Sequence, residues 1–132
     1  MTYSITARDP ETGQYGVAVA SRFFAVGALV PHIRGGKCAV ATQAFVSPIW
    51  GLEAADRMAR GEVGADVLTD LVARDGGQAI RQIHMIDSTG SVAAHTGSGC
   101  VDCVAMWRAR GCLWRAICWL VLMSLPKRLP PI

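Results

Sequence analysis

Short strands built from small apolar residues constrain the fold of this chain most. Residues 14–21 and 37–45 consist largely of Ala, Val and Gly, with few large side chains on either face. Small residues on both faces suit a sheet that is packed against other layers. The sequence therefore predicts a layered domain, and its 132 residues are a single-domain length.

Local patterns predict five strands and two helices. The strands are recognised by β-branched and small apolar residues bounded by turn residues, and the helices by apolar residues at helical spacing. The predicted strands are residues 2–8, 14–21, 37–45, 82–87 and 91–96, and the predicted helices are residues 52–60 and 65–74. The order β-β-β-α-α-β-β predicts an α+β fold of sheet and helix layers.

The pattern stops after residue 103. The remaining 29 residues hold three of the 4 Trp residues and end in a proline-rich stretch without periodicity. Their longest uncharged apolar run, residues 116–125, is shorter than the ~20 residues that a membrane-spanning helix needs. We therefore divide the chain into a domain of residues 1–103 and an aberrant tail of residues 104–132, which we expect to be irregular or to contain one short helix around residues 112–124.

A second reading frame explains the tail. We joined the last base of each codon to the first two of the next, from Arg115 through Leu125. With G-ending codons where a choice exists, A for Ala116 and Ile117, CTN for Leu120 and Leu122, TCG for Ser124 and TTG for Leu125, the segment becomes Gly-Asn-Met-Leu-Ala-Gly-Ala-Asp-Val-Val. That sequence resembles an ordinary loop followed by the start of a helix. The tail is thus predicted to be out-of-frame translation.

Several blocks in order resemble one bacterial family. They are TYSITARDPETG at residues 2–13, GVAVASRFFAVGA at 16–28, AVATQAF at 39–45, and the later cluster of His95, Thr96, Gly97 and Cys100. These blocks are similar to the DUF1028 family over residues 1–103. The resemblance implies an N-terminal-nucleophile-hydrolase-like αββα sandwich, incomplete here at the C-terminus. Members of the family continue through a Gly-Asn-Met-Leu stretch into another helix, and this chain carries that stretch only in the other frame.

Thr2 is the candidate catalytic residue. Removal of Met1 would leave its hydroxyl as a nucleophile beside its own α-amino group, which can accept the proton at a pKa of about 8. The alternative is that Thr2 only begins an edge strand. The resemblance implies an amide-bond hydrolase, truncated and expected to be inactive, so whether the chain is an enzyme stays open.

Three further residues are candidates for substrate binding. Ser21 ends a strand, where its side chain either lines a cleft or faces solvent. Gln43 either binds a ligand in a pocket or is a hydrogen-bonded amide in the core. His95 belongs to the polar cluster that also holds Cys100, whereas His84, between Ile83 and Met85, is predicted to face solvent. The alternative function is a non-catalytic module that binds a small ligand near Thr42, Gln43 and His95.

Composition excludes several partners. The net charge of +3 comes from 13 Lys and Arg against 10 Asp and Glu, and five of the basic residues follow residue 103, so no basic stripe indicates nucleic-acid binding. The 5 Cys residues include one CxxC, at residues 100–103, and there is no second pair of metal ligands. This pattern predicts neither a metal site nor disulfides. We expect no cofactor, no membrane partner, a small-molecule substrate or ligand, and a cytoplasmic location. Whether the chain forms a homo-oligomer stays open.

Overall fold

A computed structural model describes residues 2–100, 104–109 and 112–117. Within these residues the strands are β1 Thr2–Arg8, β2 Tyr15–Ser21, β3 Pro31–Arg34, β4 Cys38–Ala44, β5 Arg81–Ile86, β6 Val92–Thr96, β7 Val104–Ala109 and β8 Cys112–Ile117. The helices are α1 Val26–Leu29, α2 Pro48–Ala59 and α3 Gly64–Arg74, and residues Gln78–Ile80 form a 3-10 turn. The mixed helix and sheet content confirms the α+β class.

The first sheet has the strand order β2-β1-β8-β7, and all its pairs are antiparallel. Its first hairpin forms where the sequence predicts it, with Thr2 opposite Ser21 and Arg8 opposite Tyr15. The connecting turn depends on Asp9, whose carboxylate accepts hydrogen bonds from the Thr12 hydroxyl and the Glu11 amide. These bonds lower the pKa of Asp9, the hydroxyl contributing most.

The second sheet has the antiparallel order β3-β4-β5-β6, and α2 and α3 cover one of its faces. The hydrophobic core lies between them and includes Val40, Met58, Leu71, Ile83 and Met85. The opposite face of this sheet meets β1 of the first sheet. The layers therefore follow one another as helices, second sheet and first sheet.

Helix α2 begins four residues before its predicted start at residue 52, because Ser47 is its N-cap and Pro48 occupies the first turn. The Ser47 hydroxyl accepts a hydrogen bond from the Trp50 amide, and proline suits the first helical turn because it needs no amide partner there. Strand β3 and helix α1 were not predicted, since both are only four residues long.

The expectation of irregular structure or a short helix after residue 103 is wrong for residues 104–109 and 112–117. Both segments are strands, and β8 pairs with β1 from Thr2 opposite Ile117 to Ala7 opposite Cys112. The second edge of β1 offers unpaired backbone groups, and pairing with such an edge overrides the weak local preferences of a segment.

Candidate functional site

A chain of buried polar side chains connects the two sheets. Strand β1 contributes Ser4 and Thr6, strand β4 contributes Gln43, and strand β5 contributes Gln82 and His84, each at most 2% exposed. The Ser4 hydroxyl lies 2.6 Å from Gln43 Oε1 and 2.7 Å from His84 Nε2, and the Thr6 hydroxyl lies 3.2 Å from His84 Nδ1. Buried polar groups of this kind need partners, and these side chains supply them to one another.

The hydrogen bonds of this polar chain run in one direction. Ser4 donates to Gln43 Oε1, so its oxygen accepts from His84 Nε2–H, and His84 Nδ1 shares a hydrogen bond with the Thr6 hydroxyl. Gln43 Nε2 then donates to Gln82 Oε1 at 2.6 Å. Gln82 Nε2 continues the chain to the hydroxyl of Thr96, at 3.1 Å.

The sequence prediction that His84 faces solvent is wrong, since its side chain is fully buried. Alternation between Ile83 and Met85 correctly places His84 on the other face of β5. That face meets the first sheet instead of water, because Ser4 and Thr6 of β1 approach it. Polar residues at alternate positions of both β1 and β5 were the available signal.

Thr2 and Ser21 form a hydroxyl pair at one end of the two sheets. Their oxygens are 3.0 Å apart, and the Phe23 amide donates to the Ser21 oxygen at 3.0 Å. Either hydroxyl can be the donor in this pair. The structure thus brings the candidate nucleophile and one candidate substrate-binding residue together.

Register places the end of β4 beside this pair. Ser4 bonds Gln43, and Thr6 bonds His84, which pairs with Ala41 of β4. Residue numbers along β4 therefore decrease in the direction in which residue numbers along β1 increase. Thr2, two residues before Ser4, therefore lies towards the C-terminal end of β4, which stops at Ala44 with a φ of 68°.

Gln43 and His95, the other two candidates, lie on opposite faces of the second sheet. His95 pairs with Ile83, whose side chain belongs to the core under the helices, whereas Gln43 faces Ser4 of the first sheet. The His95 ring lies 6.0 Å from the ring of Trp50. His95 also lines a shallow cavity of about 450 Å³ together with side chains of α3. The structure does not bring Gln43 and His95 together.

The cluster that begins at His95 packs against the 3-10 turn Gln78–Ile80. His95 Nε2 lies 3.0 Å from the Gln78 carbonyl oxygen, and the amide of Gly97 donates to the Arg81 carbonyl at 2.9 Å. A Cβ atom on Gly97 would lie 2.1 Å from the Ala79 carbonyl oxygen, so only glycine fits. The thiol of Cys100 donates to the Arg81 carbonyl at 3.4 Å. These contacts give the cluster a packing role.

An ion pair stands beside the same end of β4. Arg81 binds the Asp75 carboxylate at 2.9 Å, donates to the Phe45 carbonyl and lies over the Phe45 ring. The Arg81 hydrogen bond, followed by one from the Gly77 amide, lowers the pKa of Asp75. Asp75 is therefore ionised at neutral pH and forms an ion pair with Arg81.

Other kinds of site were sought in the described residues. Nowhere in residues 2–100 do three or more His, Cys, Asp or Glu side chains cluster as a metal would require. None of the helices described is both long and apolar enough to span a membrane.

Comparisons with known proteins fix the family. The model of DUF1028, a family of unknown function, matches residues 2–116, which runs beyond residue 103. A crystal structure of a DUF1028 protein from Silicibacter pomeroyi is similar, with a TM-score of 0.80 and 32% sequence identity over 86% of this chain and 51% of that chain. This chain thus spans about half the length of the solved protein. No curated protein matches the sequence. The chain belongs to the DUF1028 family.

Proposed function

We propose that this chain carries the nucleophile of an amide-bond hydrolase with an N-terminal-nucleophile-like αββα architecture, and that Thr2 is that nucleophile. The observation that supports the proposal is the hydroxyl pair of Thr2 and Ser21, 3.0 Å apart at the head of the first strand. A threonine there needs no histidine, because its own α-amino group can act as the base once Met1 is removed. The amine titrates at a pKa of about 8, which suits proton transfer near neutral pH.

In the proposed reaction the Thr2 oxygen attacks the amide carbonyl carbon while its proton passes to the α-amino group. The C–N bond then breaks, the proton moves to the leaving amine, and an ester remains on Thr2. Water hydrolyses this ester, which releases the acid and restores the hydroxyl. Ser21 is a positioning residue, since its hydroxyl accepts from the Phe23 amide and is hydrogen-bonded to the Thr2 hydroxyl.

We propose further that this particular chain is truncated by a frameshift and does not complete the catalytic cycle. The support is the second reading frame, which yields the Gly-Asn-Met-Leu stretch that the family resemblance leads one to expect. Among residues 2–100, the Thr2 hydroxyl bonds the Ser21 hydroxyl. Sequencing the coding DNA around codons 100–115 tests this part: an intact frame in independent isolates would contradict it.

The nucleophile can be tested without full turnover. The purified chain is first weighed by intact-mass spectrometry and then treated with an activated aryl ester, and the acylated residue is mapped by tandem mass spectrometry. We expect Met1 to be absent and an acyl group, removable by hydroxylamine, to be attached to Thr2. Thr2→Ala should lose this label, and Ser21→Ala should acquire it more slowly.

Thr12→Ala provides the matched control, because Thr12 is an exposed threonine in the turn at the far end of the same hairpin. Its labelling should equal that of the unchanged chain. Retained Met1, or equal labelling of the Thr2→Ala variant, would show that Thr2 is not the nucleophile. An acyl group resistant to hydroxylamine would indicate reaction at the amine alone.

The alternative function, a non-catalytic module that binds a small ligand, gains one observation from the structure. The open cavity beside His95 is lined by Leu68, Val72 and Ala94 among others. A ligand there would contact His95 from the helical side and would leave Gln43, on the other face, untouched. Binding that survives Gln43→Leu but not His95→Ala would favour this alternative.

A further inference from the structure

Strand β2 is an open edge of the first sheet. It pairs with β1 along one side, and its other side faces no strand among residues 2–100, 104–109 and 112–117. Val17 and Val19 lie on the same face as Ser4 and Thr6, because residues that are opposite each other in a strand pair share a face. Ser4 and Thr6 are buried, whereas both valines are only half-buried. The second sheet therefore covers β1 and leaves the outer side of β2 accessible.

The edge of β2 lacks the usual protection against pairing with another strand. Proteins protect an edge strand with a charged side chain, a proline, a bulge or a very short length. Strand β2 has seven residues without a charge or a proline, and its register with β1 runs without interruption. Strand β3, at an edge of the second sheet, has only four residues and includes Pro31 and Arg34. The edge of β3 is thus protected, whereas the edge of β2 can accept another strand.

The two ends of β2 carry opposite charges. Arg22 follows the strand, and Glu11 lies in the turn that precedes it. A strand of seven residues spans about 20 Å, so these two charges cannot meet within one chain. Both side chains are exposed, and neither forms an ion pair with another of residues 2–100. Arg8, the basic residue beside the turn, donates to the Tyr15 hydroxyl at 3.1 Å. Each β2 strand therefore has one basic and one acidic end.

We propose that β2 pairs antiparallel with β2 of a second copy of this chain, so that the two first sheets form one continuous sheet. The two-fold axis passes beside Ala18, which lies opposite Ala18 of the second copy, and Val17 lies opposite Val19. Antiparallel pairing brings the end that carries Arg22 beside the turn that carries Glu11, once on each side of the axis. A parallel copy would place like charges together. The charges thus favour a second copy in the antiparallel orientation.

The backbone and the side chains of β2 both suit this register. Odd-numbered residues lie opposite odd-numbered residues and even opposite even, so outward-pointing backbone groups of one copy meet those of the other. About six backbone hydrogen bonds form in this way, and β-branched side chains opposite each other stabilise the pair. On the exposed face, Gly16, Ala18 and Ala20 bring no bulk against the second copy. Each copy contributes one strand, so the interface is small, and we expect a dissociation constant on the order of 10 μM.

Charge reversal tests the antiparallel pairing directly. Sedimentation velocity of the full chain, from about 1 to 100 μM, brackets the expected dissociation constant of the dimer. Arg22→Glu and Glu11→Arg should each raise this constant about tenfold, because each variant sets two pairs of like charges against each other. The double variant Arg22→Glu/Glu11→Arg should restore the dimer. Since the two positions are about 20 Å apart in one chain, only contact between copies explains such a rescue.

Ala18→Lys tests the position of the two-fold axis. Ala18 is exposed, so the substitution leaves the single copy folded, but in the dimer it places two positive charges directly opposite each other. We expect this variant to be monomeric throughout the concentration range, with the melting temperature of the unchanged chain at low concentration. Ala73→Lys is the control, because Ala73 is exposed in the last turn of α3, where a positive charge is tolerated. It should dimerise like the unchanged chain.

Loss of the dimer in Ala18→Lys together with rescue by the double charge reversal would support the proposal. An unchanged chain that stays monomeric over the whole concentration range would overturn it, and so would a dimer that Ala18→Lys leaves intact. A double variant that dimerises as weakly as the single variants would exclude the antiparallel register. Larger assemblies that respond to none of these substitutions would show association through another surface and would overturn the proposal as well.

Discussion

Replacing Ser4 with alanine should destabilise the fold far more than the loss of one small polar group suggests. The Ser4 hydroxyl is 1% exposed, donates to Gln43 and accepts from His84. Ser4→Ala leaves one buried acceptor and one buried donor without a partner, and each such group costs about 1–3 kcal/mol. The expected loss is therefore about 2–6 kcal/mol, a large part of a typical stability of about 5–15 kcal/mol.

Water cannot easily replace the lost hydroxyl. The substitution removes a single oxygen atom, and a water molecule takes up about 30 Å³ in the liquid, so the strands would have to move apart to admit one. The free energy of unfolding, from urea denaturation followed by circular dichroism, measures the effect. Thr69→Ala is the control, because Thr69 is an exposed hydroxyl bonded to its own helix at 2.9 Å, and it should stay within about 0.5 kcal/mol. If Ser4→Ala behaves like this control, the polar chain does not hold the sheets together.

Two other perturbations follow from the geometry. Gly97→Ala should cost about 1–3 kcal/mol by overpacking, because the new Cβ would lie 2.1 Å from a backbone oxygen. Gly35→Ala, with nothing within 4 Å, should be close to neutral, and equal melting temperatures of the two variants would contradict this reasoning. Asp75→Asn should destabilise the chain at pH 6, and its deficit should shrink as the pH falls below 3.8, the ordinary carboxyl pKa. The pKa of Asp75 is lower in the folded chain than in the unfolded chain, so its ion pair stabilises the fold at pH values above the unfolded pKa, and this stabilisation disappears as the pH falls through the folded pKa. A stability deficit of Asp75→Asn that grows in acid would refute this reasoning.

Local patterns predicted much of the fold because its strands and helices carry their own signals. The hairpin of Thr2–Arg8 and Tyr15–Ser21 needs only alternation and a turn, and both kinds of signal are close together in sequence. Helix α3 was predicted to within one residue at its start, at Gly64, for the same reason. Strand β8 could not be found this way, because its conformation depends on pairing with the distant β1.

The candidate site was predicted only in part, because its chemistry depends on contacts between distant segments. Thr2 and Ser21 could be named from their positions at the ends of strands. The bond from Ser4 to His84 joins residues 80 positions apart, and that from Ser4 to Gln43 joins residues 39 apart. A polar face on a strand normally indicates solvent, so the polar face of β5 was wrongly predicted to be exposed at His84, which the polar face of β1 covers. Only the pairing of the two sheets reveals the error.

The polar chain also decides where Thr2 sits. Apolar sheet faces can slide past each other at little cost, whereas a network of directional hydrogen bonds is satisfied in one register only. Ser4 and Gln43 fix that register near the hydroxyl pair, and at the other end of the sheets the Tyr15 hydroxyl donates to the Asp87 carbonyl at 2.9 Å. Thr2 is two residues from Ser4 on the same face of β1, so its position relative to the second sheet is set by the bonds that stabilise the fold. Ser4→Ala should therefore displace the proposed nucleophile, Thr2, as well as lower the free energy of unfolding.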